Sequence, residues 1–194
     1  MPGRRGPVPS GRARRLFVAI GVPPSVRAAV EDAFAPWREA FPAARWVPPA
    51  NWHVTVRFVG SVPATMVGRV GAAVGEAAAG VAPFRARLSA IGAFPSPRRA
   101  KVLWAGLDDR AGGMAELARA LDASLAQELP SRPRAFRPHL TVARSDAPLA
   151  MPASFTATPV APVDFRVDRV VLFESLAAGP SVRYEPLVTA SLGG

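Results

Sequence analysis

His53-Val54-Thr55-Val56 and His139-Leu140-Thr141-Val142 are near-copies of one tetrapeptide, and between them they use both histidines of the chain. Residues two apart on a strand point to the same face. The apolar residues at the second and fourth positions therefore predict a core face, and His and Thr an opposite, polar face. Continued along the strand, the first copy sets Arg57 beside His53 and Thr55, and Phe58 in the core with Val54 and Val56. The chain holds six threonines in 194 residues. Random placement would put one two positions after each histidine with a chance on the order of one in a thousand. The copies lie 86 residues apart, and each follows a helix-containing segment. This spacing predicts two similar α+β lobes facing each other, each contributing one motif.

Working outward, residues 16–20 predict a strand. Arg12, Arg14 and Arg15 ahead of the apolar run 16–22 superficially resemble a signal peptide. The run is short, ends in Pro23-Pro24 and lacks a small-x-small cleavage site, so it reads as a buried strand. Pro24-Ser25 opens a helix, with Val26, Val30, Phe34 and Trp37 at helical spacing. Residues 52–59 and 137–143 are the motif strands. A helix is expected over 65–79, weakened by Gly68, Gly71 and Gly75. Residues 84–91 and 102–107 predict strands, 114–129 a helix with Leu117, Leu121 and Leu125 on one face, and 165–174 and 184–192 two last strands.

Composition bounds the rest. The length suits a single domain over residues 15–194, and half the residues are apolar, which suits a globular chain. Residues 1–14, rich in Gly, Pro and Arg, are expected to form a disordered basic leader. No run of about 18 uninterrupted apolar residues occurs, so no membrane span is expected. Without cysteine there is no disulfide, no thiol nucleophile and no cysteine-based zinc site, which suits a cytoplasmic protein. The net charge is +10, and Arg4, Arg5, Arg12, Arg14 and Arg15 contribute half of it. The remaining basic excess favours polyanions such as nucleic acid, although Lys101 is the only lysine and the arginine-rich composition could equally follow genome base composition.

Two imidazoles facing one substrate can divide acid and base work. One, neutral, takes a proton from attacking water, and the other, protonated, gives one to the leaving oxygen. The Thr55 and Thr141 hydroxyls can hydrogen-bond phosphoryl oxygens. Arg57 and Arg144 are candidates to pair with an anion, because guanidinium matches phosphate geometry. Strict alternation turns Arg144 away from the cleft unless its strand ends or bends there. Two histidines with no cysteine and no adjacent acidic residue do not make a metal site. No glycine-rich nucleotide loop and no Gly-x-Ser-x-Gly elbow is present.

The paired His-x-Thr motifs resemble the two-histidine (2H) phosphoesterase superfamily, and further blocks resemble its bacterial and archaeal RNA 2′,3′-cyclic phosphodiesterase branch, long called 2′-5′ RNA ligases. These blocks are Arg15-Leu16-Phe17-Val18-Ala19, Trp46-Val47-Pro48-Pro49-Ala50-Asn51-Trp52 leading into His53, Gly92-Ala93-Phe94-Pro95, Val102-Leu103-Trp104-Ala105-Gly106, Phe136-Arg137-Pro138 leading into His139, and Leu172-Phe173-Glu174-Ser175 with Gly179-Pro180 before Tyr184. The resemblance implies a bilobal α+β fold, two antiparallel sheets around a central cleft with helices outside. It implies cofactor-free, metal-independent opening of an RNA-terminal 2′,3′-cyclic phosphate to a 2′-phosphate, with His53 as proton donor, His139 as the base that activates water, and Thr55 and Thr141 on the phosphate. A monomer acting on RNA ends is expected. A catalytically silent RNA-end binding module, and a phosphodiesterase for a cyclic phosphate on a small nucleotide or ADP-ribose derivative, are the alternatives. Trp52 departs from the family's more usual aliphatic residue, and the leader is extra.

Overall fold

The computed structural model describes residues 12–129, 136–178 and 181–193. Among these residues nine strands and three α-helices follow one another as β1 (Arg14–Gly21), α1 (Pro24–Ala40), β2 (Arg45–Trp46), β3 (His53–Val62), α2 (Val67–Ala79), β4 (Phe84–Phe94), β5 (Ala100–Asp108), α3 (Gly113–Ala126), β6 (His139–Leu149), β7 (Asp164–Val167), β8 (Arg169–Ala178) and β9 (Ser181–Ser191). The ladders between them are antiparallel. The strand order is β7-β4-β5-β6-β3-β1-β8-β9, with β2 beside β6.

This order divides into two four-stranded leaves of the same plan. From its motif strand outward, one runs β3-β1-β8-β9 and the other β6-β5-β4-β7. Among the described residues they are joined by one pairing, Val54 with Leu140. The two expected antiparallel sheets are thus leaves of one curled sheet, hinged between the motif strands.

The helices form where apolar residues recur at helical spacing. α1 starts on Pro24, whose fixed φ suits a first helical turn. It buries Val26, Ala29, Val30, Ala33 and Phe34. α3 follows Gly112, whose φ of 73° lies in the left-handed region. The Asp109 carboxylate accepts from the Met114 backbone N–H and so caps the first turn. Leu117, Leu121 and Leu125 of α3 are buried as their spacing predicts. α2 begins at Val67 after a 3-10 turn over Ala64–Met66, and it packs on β8, β9 and α3. Gly71 lets it approach β9, since a Cβ there would stand 3.0 Å from Val188 Cγ2.

Three expectations change. Residues 165–174 do not form one strand: β7 pairs with β4 and β8 with β1, so the chain crosses between leaves at Asp168. Each piece buries alternate residues, Phe165 and Val167 in β7 and Val170 and Leu172 in β8, and the phase slips by one residue at the crossover. β1 starts at Arg14, inside the expected leader, because its ladder with β3 runs on to pair Arg14 with Val62, and the Arg14 guanidinium also donates to Glu174 of β8, with Nε 2.8 Å from Oε2. Residues 1–11 lie outside the described residues. Phe58, expected in the core, is 59% exposed. A register shift explains it: Thr55 pairs with Ala19 and Arg57 with Val18, so Val56 is an extra, bulged residue that reverses the alternation after it. The motif strand is otherwise backed by core, with Trp52 2% exposed and its Nε1–H donating to the Val47 carbonyl at 2.9 Å.

Candidate active site

A cleft of about 840 Å³ is lined by His53, Thr55, Arg57, His139, Thr141 and Arg144 together, along with Arg15, Phe17, Phe58 and Tyr184. All six residues singled out in the sequence therefore meet in one place. Helix α3 supplies part of the wall through Ala118, Asp122 and Leu125.

The two motif strands reach this cleft through matching geometry. Continued one residue either way from Val54–Leu140, the antiparallel register sets His53 opposite Thr141 and His139 opposite Thr55. His53 Nδ1–H donates to the Asn51 carbonyl at 2.7 Å, and His139 Nδ1–H donates to the Arg137 carbonyl at 2.7 Å. A carbonyl can only accept, so each Nδ1 carries a proton and each Nε2 is the nitrogen left to gain or lose one. His53 Nε2 lies 3.0 Å from Thr55 Oγ1.

Both motifs also carry a bulge at their fourth residue. In β6, Thr141 pairs with Trp104 and Ala143 with Leu103, so Val142 is extra, as Val56 is in β3. Bulges re-aim the side chains that follow them. Val142 and Ala143 are both buried, and Arg144 is exposed and lines the cleft. The strand bend that Arg144 required is this bulge. On the other strand Arg57 pairs with the buried Val18, and its Nε lies 2.9 Å from Asp122 Oδ1 of α3. Arg57 is 12% and Asp122 26% exposed at the side chain.

The two histidines sit in different surroundings. His53 is enclosed by aromatic rings, with centroids at 4.8 Å to Phe17, 5.0 Å and perpendicular to Tyr184, and 6.4 Å to Phe173. Burial pushes its pKa below the ordinary imidazole value, and the positive fields of Arg144 and His139 act in the same direction. The Asn51 carbonyl opposes this by stabilising the protonated ring. His139 meets the edge of Phe94 at 5.2 Å, and Phe94 leans on Trp104 at 5.2 Å. The Trp104 ring occupies the place a Cβ on Gly92 would take, 2.2 Å from its Cζ2.

Sequence patterning missed Phe17, Tyr184, Phe94 and Asp122 as parts of the site. Tyr184 carried one signal, as the only tyrosine of the chain. The others arrive from strands and a helix distant in sequence. Among the described residues no three His, Cys, Asp or Glu side chains gather as a metal site, and no helix is long and apolar enough to cross a membrane.

The chain is similar to known proteins in sequence and in fold. The family model described as the 2′-5′ RNA ligase superfamily matches residues 22–179. The RNA 2′,3′-cyclic phosphodiesterase of Thermus thermophilus is 36% identical over 69% of this chain and 70% of its own length. That of Geobacillus stearothermophilus is 28% identical over 82% of this chain, and the match spans about half (51%) of that longer relative. A crystal structure of a Thermus thermophilus protein superposes with a TM-score of 0.75 at 32% identity, covering 93% of this chain and 98% of that one.

Proposed function

The chain belongs to the 2′-5′ RNA ligase superfamily of two-histidine phosphoesterases, and from that premise we propose that it hydrolyses an RNA-terminal 2′,3′-cyclic phosphate to a 2′-phosphate without a metal ion. The observation that carries the reading is the pair of Nδ1–carbonyl bonds at 2.7 Å, which reserves both Nε2 atoms for proton transfer in a shared cleft.

In this reaction His139 Nε2 takes a proton from water as the water oxygen bonds to phosphorus. The bond from phosphorus to the 3′-oxygen breaks, and His53 Nε2 gives that oxygen a proton. Thr55, Thr141 and Arg144 hold the phosphoryl oxygens as charge builds on them. The free protein favours neutral His53, through burial and positive field. An anionic substrate beside Arg144 opposes that field, so substrate binding itself helps His53 acquire the proton it must donate.

The test is product identification from a defined oligoribonucleotide ending in a 2′,3′-cyclic phosphate, with EDTA present. A 2′-phosphate is expected, and a 3′-phosphate or a metal requirement would overturn the scheme. His53→Ala and His139→Ala are each expected to lower kcat by about 10²–10⁴-fold. Full activity in either variant would remove that histidine from the chemistry.

A further inference from the structure

We propose that Asn51 is a positioning residue for the proton donor, its side-chain amide latching an arm of the β8–β9 hairpin over His53 while its carbonyl holds the ring; the inference rests on the acid role given to His53 above. The arm is the part of the hairpin that lies beyond the β1 ladder. β1 pairs with β8 from Ala19–Val171 to Leu16–Glu174, whereas β8 and β9 pair on to Ala178 and Ser181. β9 stands three strands from β3 in the order β3-β1-β8-β9, about 14 Å away across a sheet. Asn51, just ahead of β3, nevertheless donates through Nδ2 to the Val182 carbonyl at 2.9 Å. The arm therefore curls over the cleft face, and Asn51 fastens it there.

The latch acts on His53 through one residue of β9. Val182 and Tyr184 lie two apart on the strand, so they share a face, and both line the cleft. With the Val182 carbonyl held, the Tyr184 ring stands perpendicular to the His53 ring at 5.0 Å and edge-on to Phe17 at 5.0 Å. Asn51 thus fixes His53 from two directions. The imidazole Nδ1–H donates to the Asn51 main-chain carbonyl at 2.7 Å, and the ring is walled by the tyrosine that the Asn51 amide keeps in place. Nε2 then points at Thr55 Oγ1 on the cleft side, the direction from which a leaving oxygen is met. The turn itself does not need the Asn51 side chain. Asn51 N–H donates to the Pro48 carbonyl at 2.8 Å and Trp52 N–H to the Pro49 carbonyl at 3.1 Å, with the Trp52 side chain buried.

An amide is the chemistry this contact requires. A carbonyl can only accept, so the side chain facing Val182 must donate. The second motif lacks the arrangement. The residue two before His139 is Arg137, whose carbonyl accepts from His139 Nδ1–H as the Asn51 carbonyl does from His53. The Arg137 residue is exposed, and among the described residues no hydrogen bond ties its side chain to another strand. Two nearly identical motifs therefore differ in how firmly their imidazoles are held: the donor histidine is clamped beneath an arm, and the base histidine is not.

Tyr184 is the only tyrosine of the chain and His53 one of two histidines, so protein labelled in those two residue types reports the latch directly by NMR. Wild type is expected to show a nuclear Overhauser peak between the Tyr184 and His53 rings. Asn51→Ala is expected to lose that peak and to leave the His139 ring signals in place. On an oligoribonucleotide ending in a 2′,3′-cyclic phosphate the same variant is expected to lower kcat about ten-fold, with KM held within about two-fold. Absence of the peak in wild type, or its survival in Asn51→Ala, overturns the latch. Loss of the peak with kcat unchanged overturns the positioning role, and so does an equal disturbance of the His139 ring, the mark of a general loosening. Failure of wild type to open the substrate would overturn the cyclic-phosphate reading instead, and the NMR comparison, which needs no substrate, would still decide the latch. Should Asn51→Ala fail to fold, Asn51→Leu, larger and equally without a donor, takes its place in each comparison.

Discussion

Val54 pairs with Leu140 at the seam where the two leaves of the sheet meet, and both residues are fully buried. Each is the middle residue of its His-x-Thr motif, so the contact that joins the leaves also sets the two His–Thr pairs across from each other. Truncating Leu140 to Ala is expected to cost about 2–5 kcal/mol, the range for a buried leucine. Leu121→Ala in α3, equally buried, serves as a matched control. If Leu140 acts only as core, the two variants should lose activity in proportion to stability; the seam position predicts that Leu140→Ala loses more kcat at temperatures where both are folded.

The ion pair from Arg57 to Asp122 anchors the first motif strand to α3 across the cleft wall. Its groups are partly buried, so breaking it by Asp122→Asn is expected to cost about 1–3 kcal/mol, as for a hydrogen bond to a charged group. For a chain of this size that is a fall of about 2–4 °C in Tm for each kcal/mol. Arg57→Met should cost a similar amount, and the double variant little more than either single one. Additive losses in chemical denaturation would show that the two side chains do not act together.

The depressed pKa of His53 makes stability depend on pH with a definite sign. The folded state holds this imidazole neutral at a pH where the unfolded chain, near the ordinary value of about 6.5, has begun to protonate. Its contribution to stability is therefore complete above about pH 6.5 and is lost as pH falls through the lower folded pKa. Denaturation midpoints measured from about pH 7.5 down to about pH 5 should decline, and His53→Gln should flatten the decline across that window. An unchanged slope in the variant would assign the loss to other groups.

Arg144 lines the cleft and lowers the His53 pKa through its charge. Arg144→Gln is expected to move the His53 titration, followed by NMR of the ring, to higher pH. The same change removes a charged donor from the proposed phosphate site, so KM should rise on the order of ten-fold. A titration that stays in place would mean that the charge of Arg144 does not help set the protonation of His53.

Much of this molecule follows from local pattern. Alternation along residues 53–56 and 139–142 sets His and Thr on one face and apolar residues on the other, and the buried Val54, Val56, Leu140 and Val142 bear this out. Helical spacing anticipated the buried faces of α1 and α3 for the same reason: the side-chain period is a property of the local backbone. The bulges were not legible. Whether a residue is extra depends on which residue of the neighbouring strand it faces, and that is settled by hydrogen bonds to β1 and β5, not by the motif strands themselves. Those two bulges turned Phe58 out of the core and Arg144 into the cleft, reversing what alternation implied for each. The sheet likewise brought Phe17 and Tyr184 to His53, and Phe94 to His139, from strands distant in sequence. That an imidazole and a hydroxyl share one face on each motif strand was therefore written in the order of residues along two short strands. How differently the two histidines are surrounded arose on folding, because burial, ring contacts and the field of Arg144 are properties of the packed sheet.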